Sequence, residues 1–222
     1  MLREELKDKG FEVITVACDT KGAAAAFPWV EKANPTHPSL LDVHHVVPEL
    51  YNTKNVPAAF WIDEQGRIVR RNDPIYIQVR NQQTGDARIK TAYLDALRDW
   101  VANGASSRFV QSAQTPQAPP TWADAQAIAH FRLGVLLQQA AHNAAAVAQF
   151  KQAHALKPDN WNIKCQSFNL ANLEADYGFK TNLEAMGAGE DAVFYPPLDI
   201  TGDPGRSSAS FRTPRPAPPP AS

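Results

Sequence analysis

Few residues of this chain can do covalent or metal chemistry. Sulfur attack needs a thiolate, and only Cys18 and Cys165 carry thiols; a thiolate at neutral pH requires a helix N-terminus or a neighbouring cation to lower the pKa. Cys18 instead closes the β-branched run FEVITVA, and Cys165 sits within WNIKCQSFNL. They form no C-x-x-C pair, so neither a dithiol nor a cysteine metal site is expected, and both read as small buried residues. His37, His44 and His45 gather near Asp42, but no helical pair of ligands and no second cluster accompanies them, so no metal is expected. Asp19 and Asp63 stand at strand ends, where carboxylates commonly cap loops. Arg67, Arg70 and Arg71 flank an edge strand and are expected in solvent. The most specific placement belongs to a proline. In NVPAAFWIDEQGRIV, residues 55–69, a strand is entered through Pro57, which has no N–H to give a ladder.

The elements around these residues set their positions. With 222 residues, 44% hydrophobic composition and a formal net charge of -1, the chain is long enough to bury a sizeable core in one or two domains. It has no basic run of the kind nucleic acid or an anionic membrane surface attracts. No apolar stretch approaches a membrane span, and MLREELKDKG has no apolar core of a signal peptide. The cytoplasm is the expected compartment, with export open should a leader precede Met1.

Leu2 and Leu6 predict the end of an amphipathic helix stopped at Gly10. FEVITVA (11–17) predicts a strand buried on both faces, as in a parallel sheet. AAAAFPWVEKAN predicts a helix loosened by Pro28, SLLD (39–42) a short strand, and VVPELYN a helical turn. AAFWID and RIVRR predict a hairpin turning at Glu64-Gln65-Gly66. Ile89, Tyr93, Leu97, Trp100 and Val101 share one face of a helix ending near Gly104.

This order, with FEVITVACDT, HPSLLD and above all YNTKNVPAAFWIDEQGRIVRR, resembles the thioredoxin-like superfamily over Leu2 to about Gly104, and more narrowly its TlpA/ResA or AhpC/TSA-type redoxin branch. The resemblance implies that the Val56–Pro57 peptide is cis and that Val56 offers its backbone to an extended substrate; the alternative is a proline that simply starts an edge strand. It further implies a redox-active C-x-x-C-like motif, or a selenocysteine as in some ResA-like selenoproteins, in the helix ahead of FEVITVA. The chain holds no such motif. The resemblance therefore leads us to expect an α/β thioredoxin-like sheet that lacks its first strand and active-site motif, with the reactive residue upstream of Met1, either through an early gene boundary or through a UGA codon read as a stop.

Beyond this unit, an Ala/Ser/Gln-rich stretch with TPQAPP predicts a linker over 105–121. Leu133, Gly134, Leu137, Ala146, Phe150, Ala153 and Pro158 then follow the spacing of a tetratricopeptide (TPR) repeat, with Leu137 in the aromatic position. Small residues at Gly134 and Ala146 would let two antiparallel helices approach, Phe150 and Leu137 would fill the gap, and Pro158 would stop the second helix. Residues 161–178 are expected as a cap or a degenerate second repeat, the whole helical unit spanning 122–178 and packing on the first unit or on a partner. Of the chain's 18 prolines, eight lie from Pro196 onward. Residues 179–222 are accordingly expected to be extended or disordered, as a solubilising end or a proline-motif ligand.

Together these readings give three expectations from different classes. One is a thiol- or selenol-disulfide oxidoreductase or antioxidant redoxin, needing no cofactor, that acts on a protein or peptide thiol or disulfide through Val56 and Pro57. Another is a non-catalytic protein-binding module using the redoxin and TPR-like surfaces. The last is a remnant that does not fold.

Overall fold

A computed structural model of the chain describes residues 2–74, 86–110 and 120–187. Its elements come in two groups joined by residues 111–119. The first group holds α1 (Leu2–Leu6), β1 (Thr15–Ala17), α2 (Ala23–Ala33), β2 (Ser39–Leu41), α3 (Val46–Leu50), β3 (Ala58–Ile62), β4 (Ile68–Pro74) and α4 (Asp86–Asn103). The second holds α5 (Trp122–Gln139), α6 (Asn143–Leu156), α7 (Trp161–Leu170), α8 (Leu173–Tyr177) and α9 (Asn182–Gly187).

Two small sheets form among the described residues. β1 pairs in parallel with β2, Thr15 opposite Ser39 and Ala17 opposite Leu41. β3 pairs antiparallel with β4, with irregular register around Trp61. Among the described residues no ladder joins the two sheets. The hairpin turns as its residues require. Asp63 accepts from the backbone of Gln65 and Arg67 at 3.1 and 2.8 Å, and Gly66 takes the left-handed conformation at φ 75, which costs glycine nothing.

The strand expected over residues 11–17 is a correction. Only Thr15–Ala17 is strand, and Ile14 is 60% exposed. A β-branched run favours a pleated surface but supplies no neighbour. With a ladder to β2 alone, nothing draws residues 11–14 into the sheet; Phe11 instead joins the core under β3, and Glu12 is held by Arg3 at 2.5 Å.

That core consists of Trp61, Tyr93, Ala96 and Leu97, with Leu2, Val69, Trp100 and Phe109 against it. Trp61 Nε1 donates to the Tyr93 hydroxyl at 3.0 Å, so the indole is buried without losing its hydrogen bond. Arg70 is a second correction. Expected in solvent, it is 2% exposed, with its guanidinium 5.4 Å from the Trp61 ring centroid and donating to the Phe109 carbonyl at 3.1 Å. The first unit consequently runs past Gly104 to at least Phe109, into residues expected as linker; residues 111–119 of that linker lie outside the described residues.

In the second unit, Thr121 and Asp124 form a reciprocal cap that starts α5. α5 and α6 close around Phe131, Ala146, Phe150 and Ala153, all buried. Gly134 lies so near Phe150 that a β-carbon there would meet its ring at 2.5 Å. Leu137 packs at the margin of this cluster, whereas Leu133, expected in the same seam, is 44% exposed. α6 ends at Leu156, just before Pro158. Residues 161–178 form α7 and α8, broken at Ala171, whose backbone is extended. Residues 179–187 also depart from the expected extended tail: α9 is helical, and Ala185 is buried against Trp161 and Phe168. The remainder of that expectation, residues 188–222, lies outside the described residues. No helix among the described residues is long and apolar enough to cross a membrane.

Candidate functional site

The segment that enters β3 is built from both units. α3 ends at Leu50, and Thr53, 6% exposed, donates its N–H to the Pro48 carbonyl at 2.8 Å. Lys54 follows, its carbonyl accepting from the Asn162 N–H at 3.1 Å and its ammonium paired with Asp159. Asn55 then turns its own side chain onto the next peptide, so that the Val56 N–H donates to Asn55 Oδ1 at 2.9 Å. Val56 is 42% exposed, and the Val56–Pro57 bond is cis. Ala58 begins β3, and Phe60 packs edge-on against Tyr51 with centroids 5.0 Å apart.

Val56 and Pro57 thus lie where an extended segment meets solvent. One expectation needs refinement, because the Val56 N–H does not point at an empty site. An arriving peptide would exchange its own carbonyl for the amide oxygen of Asn55, a swap of one neutral hydrogen bond for another.

The two thiols have the chemistry of buried sulfur. Burial, reinforced by the Asp42 carboxylate, pushes the Cys18 thiol up to about 11. At neutral pH that leaves roughly one molecule in ten thousand as thiolate. Burial also raises Cys165, against a smaller opposing pull from Lys164. Both are free, unbridged cysteines, and the Cys18 carbonyl is engaged by Gln166 Nε2 at 3.2 Å.

The histidines and carboxylates singled out from sequence do not converge. His37 Nε2 lies 3.2 Å from the Thr15 hydroxyl, Asp42 accepts from the His44 and Val47 N–H groups, and Asp19 caps its own loop through Lys21. Among the described residues no group of three or more such side chains could hold a metal ion. His45 turns the other way. It is 6% exposed, edge-on to Phe131 at 5.3 Å, with Nδ1 3.4 Å from Asn162 Nδ2. Burial pushes its pKa down, the nearby Asp42 and Asp19 carboxylates opposing.

His45 is therefore part of a seam between the two units. Arg132 of α5 pairs with Glu49 of α3 at 2.6 Å and reaches the His44 carbonyl at 3.4 Å. Gln166 of α7 accepts from Thr20 N–H and hydroxyl at 3.2 and 2.9 Å. The expected choice between packing on the first unit and packing on a partner is thus met by the first unit's own loops. Sequence reading passed over Asn162, Gln166 and Arg132, since single polar residues on a helix carry no periodic signal; the first-turn position of Asn162 after the cap residue Asn160 was the one available cue.

Compared with known proteins, the chain matches no family model, no curated protein and no solved structure.

Proposed function

We propose that this chain is a thioredoxin-like binding scaffold of the redoxin type, which holds an extended protein or peptide segment, a thiol or disulfide partner, along Asn55–Ala58 without using either of its own cysteines as the attacking sulfur. The carrying observation is the state of the two thiols. Cys18, raised to about 11 by burial, and Cys165, raised in the same direction, are the opposite of the low-pKa sulfur that disulfide exchange needs. What remains is recognition. Main-chain pairing at an open strand entrance is a general way of holding an extended peptide, and exposed Val56 beside Pro57 supplies that entrance here.

A second reading keeps the same ledge within a thiol- or selenol-disulfide oxidoreductase whose reactive motif lies upstream of Met1. Two separate ladders favour it: among the described residues β1 pairs with β2 alone and β3 with β4 alone, so each has an edge on which a further strand could pair. Reading the DNA ahead of the first codon in frame, through any UGA, tests this reading; an in-frame cysteine or UGA in a W-x-x-C-like setting supports it, and an in-frame stop other than UGA removes it.

The scaffold reading is tested on the 222-residue chain itself. Titration with a blocked extended peptide, followed by amide resonances, should move Asn55, Val56 and Ala58 while insulin disulfide reduction stays at background. Insulin reduction above background that is lost when Cys18 or Cys165 is replaced by serine would overturn the assignment, and so would a peptide that moves resonances elsewhere but leaves these three unchanged.

A further inference from the structure

The ledge is not held by the first unit alone. Three groups from the helical unit converge on the residues just ahead of it. The Asp159 carboxylate pairs with the Lys54 ammonium. The Asn162 N–H donates to the Lys54 carbonyl at 3.1 Å. The Asn162 side chain lies 3.4 Å from His45 Nδ1, at the start of α3. Asn162 is 2% exposed, so its place between Lys54 and His45 is closed to water.

The local structure explains why these atoms are available. The first N–H groups of a helix have no partner within it. In α7 the Asn160 side chain satisfies one of them, that of Ile163, at 3.1 Å. The N–H of Asn162 remains for the Lys54 carbonyl. Asp159 lies in the turn between α6 and α7, where Asn160 N–H donates to the Lys157 carbonyl at 3.1 Å. Asn162 thus stands in the capped first turn of α7, and Asp159 in the turn that leads into it.

We propose that Asn162 and Asp159 are positioning residues for the peptide ledge: the helical unit orders the backbone from Thr53 to Val56 from behind, so that a peptide arriving at Val56 meets a segment already set. This inference rests on the docking reading given above and adds what prepares that site. A segment ordered beforehand gives up less entropy on binding, and affinity rises accordingly. A hairpin that served only as an attached neighbour would need no contact at Lys54; Arg132 with Glu49 and Gln166 with Thr20 already join the two units elsewhere.

The test uses the full chain with Asp159→Asn, Asn162→Ala, both together, and Asp159→Glu as the conservative variant; Asn162→Ala keeps the N–H on the Lys54 carbonyl and removes the side chain beside His45. Two readouts are taken on each: amide exchange at Thr53 in the free protein, with the amides of α6 as internal reference, and the affinity of a blocked valine- and serine-containing peptide. The double variant is expected to exchange faster at Thr53 and to bind the peptide more weakly, each by about threefold or more, as befits a half-exposed ion pair and one interior contact. Its α6 amides should not change, and Asp159→Glu should behave as the parent. Unchanged exchange at Thr53 in the double variant overturns the proposal, as does acceleration of the same size throughout α6, which marks general loosening. The two readouts also separate this inference from the one beneath it. Faster exchange at Thr53 in a protein that binds no peptide leaves the positioning intact and removes the docking reading. Equal peptide binding with unchanged Thr53 does the reverse.

Discussion

Phe150 lies directly beneath Gly134, close enough that a β-carbon on that glycine would stand 2.5 Å from the ring and 3.2 Å from the Ala146 carbonyl. Gly134→Ala is therefore expected to destabilise the chain. On an open helix face the substitution would gain up to about 1 kcal/mol of helix propensity, but forcing an atom into a closed seam costs roughly 1–3 kcal/mol, and Phe150 at 0% exposure has nowhere to turn. A net loss of about 2 kcal/mol in urea unfolding is expected, recovered in part by adding Phe150→Leu. Stabilisation by Gly134→Ala alone would mean that α5 and α6 do not approach as described.

Arg70 is expected to resist its usual conservative replacement. Its guanidinium lies by the Trp61 ring and bonds the Phe109 carbonyl, roles for a flat, weakly hydrated fork. Arg70→Lys should cost on the order of 1–3 kcal/mol, the range for a buried charged hydrogen bond left unmade. Near-UV circular dichroism of the tryptophans and thermal unfolding check this together; no change in either would return Arg70 to the solvent.

Acid should loosen the helical unit well before its carboxylates titrate. Burial, helped by Lys164, holds His154 at about 4, and burial lowers His45 as well. The unfolded chain, with histidines near 6.5, then binds protons that the folded chain refuses, so stability is complete above about pH 6.5 and falls as pH drops toward the folded values. For His154 the loss amounts to on the order of 2 kcal/mol by about pH 5. Urea midpoints measured across this range should fall, and His154→Gln should flatten the decline. A decline that begins only below about pH 4.5 would assign it to carboxylates.

Removing the side chain that occupies Val56 should favour a peptide. Asn55 Oδ1 accepts the Val56 N–H at 2.9 Å, so every incoming carbonyl competes with it. Asn55→Ala leaves that donor to water alone and should tighten binding of an extended peptide by up to about tenfold, the net worth of one hydrogen bond. Calorimetric titration of parent and variant decides; weaker binding by Asn55→Ala would make Asn55 a contact of the peptide.

Legibility differed between the parts of the chain for physical reasons. Gly134, Ala146, Phe150 and Ala153 declared themselves because a helical pair repeats its contacts at fixed spacing, and all four lie in the seam of α5 and α6. The turn at Gly66 was equally plain, since glycine's backbone freedom is a property of one residue. FEVITVA misled because strand preference describes side chains, whereas strand length depends on how many ladders a segment enters, and among the described residues β1 enters one. Arg70 misled because residue type sets only a default exposure. The ledge was half visible. Pro57 stood out by its lack of a donor, but Asn162, Asp159 and Lys54 meet through single polar contacts distant in sequence, and no local pattern announces such a meeting.

The bond between Thr20 and Gln166, which spans 146 positions of sequence, also orders the birth of the molecule. The turns of α5 and α6 close over a few residues and can zip within the time of local helix formation, while joining the first unit to the second must wait for a far longer loop to close. On a ribosome the contrast is sharper. Thr20 emerges long before Gln166 exists, so the loop after β1 and the approach to β3 spend the interval uncovered, and the chain completes this face only when α7 arrives.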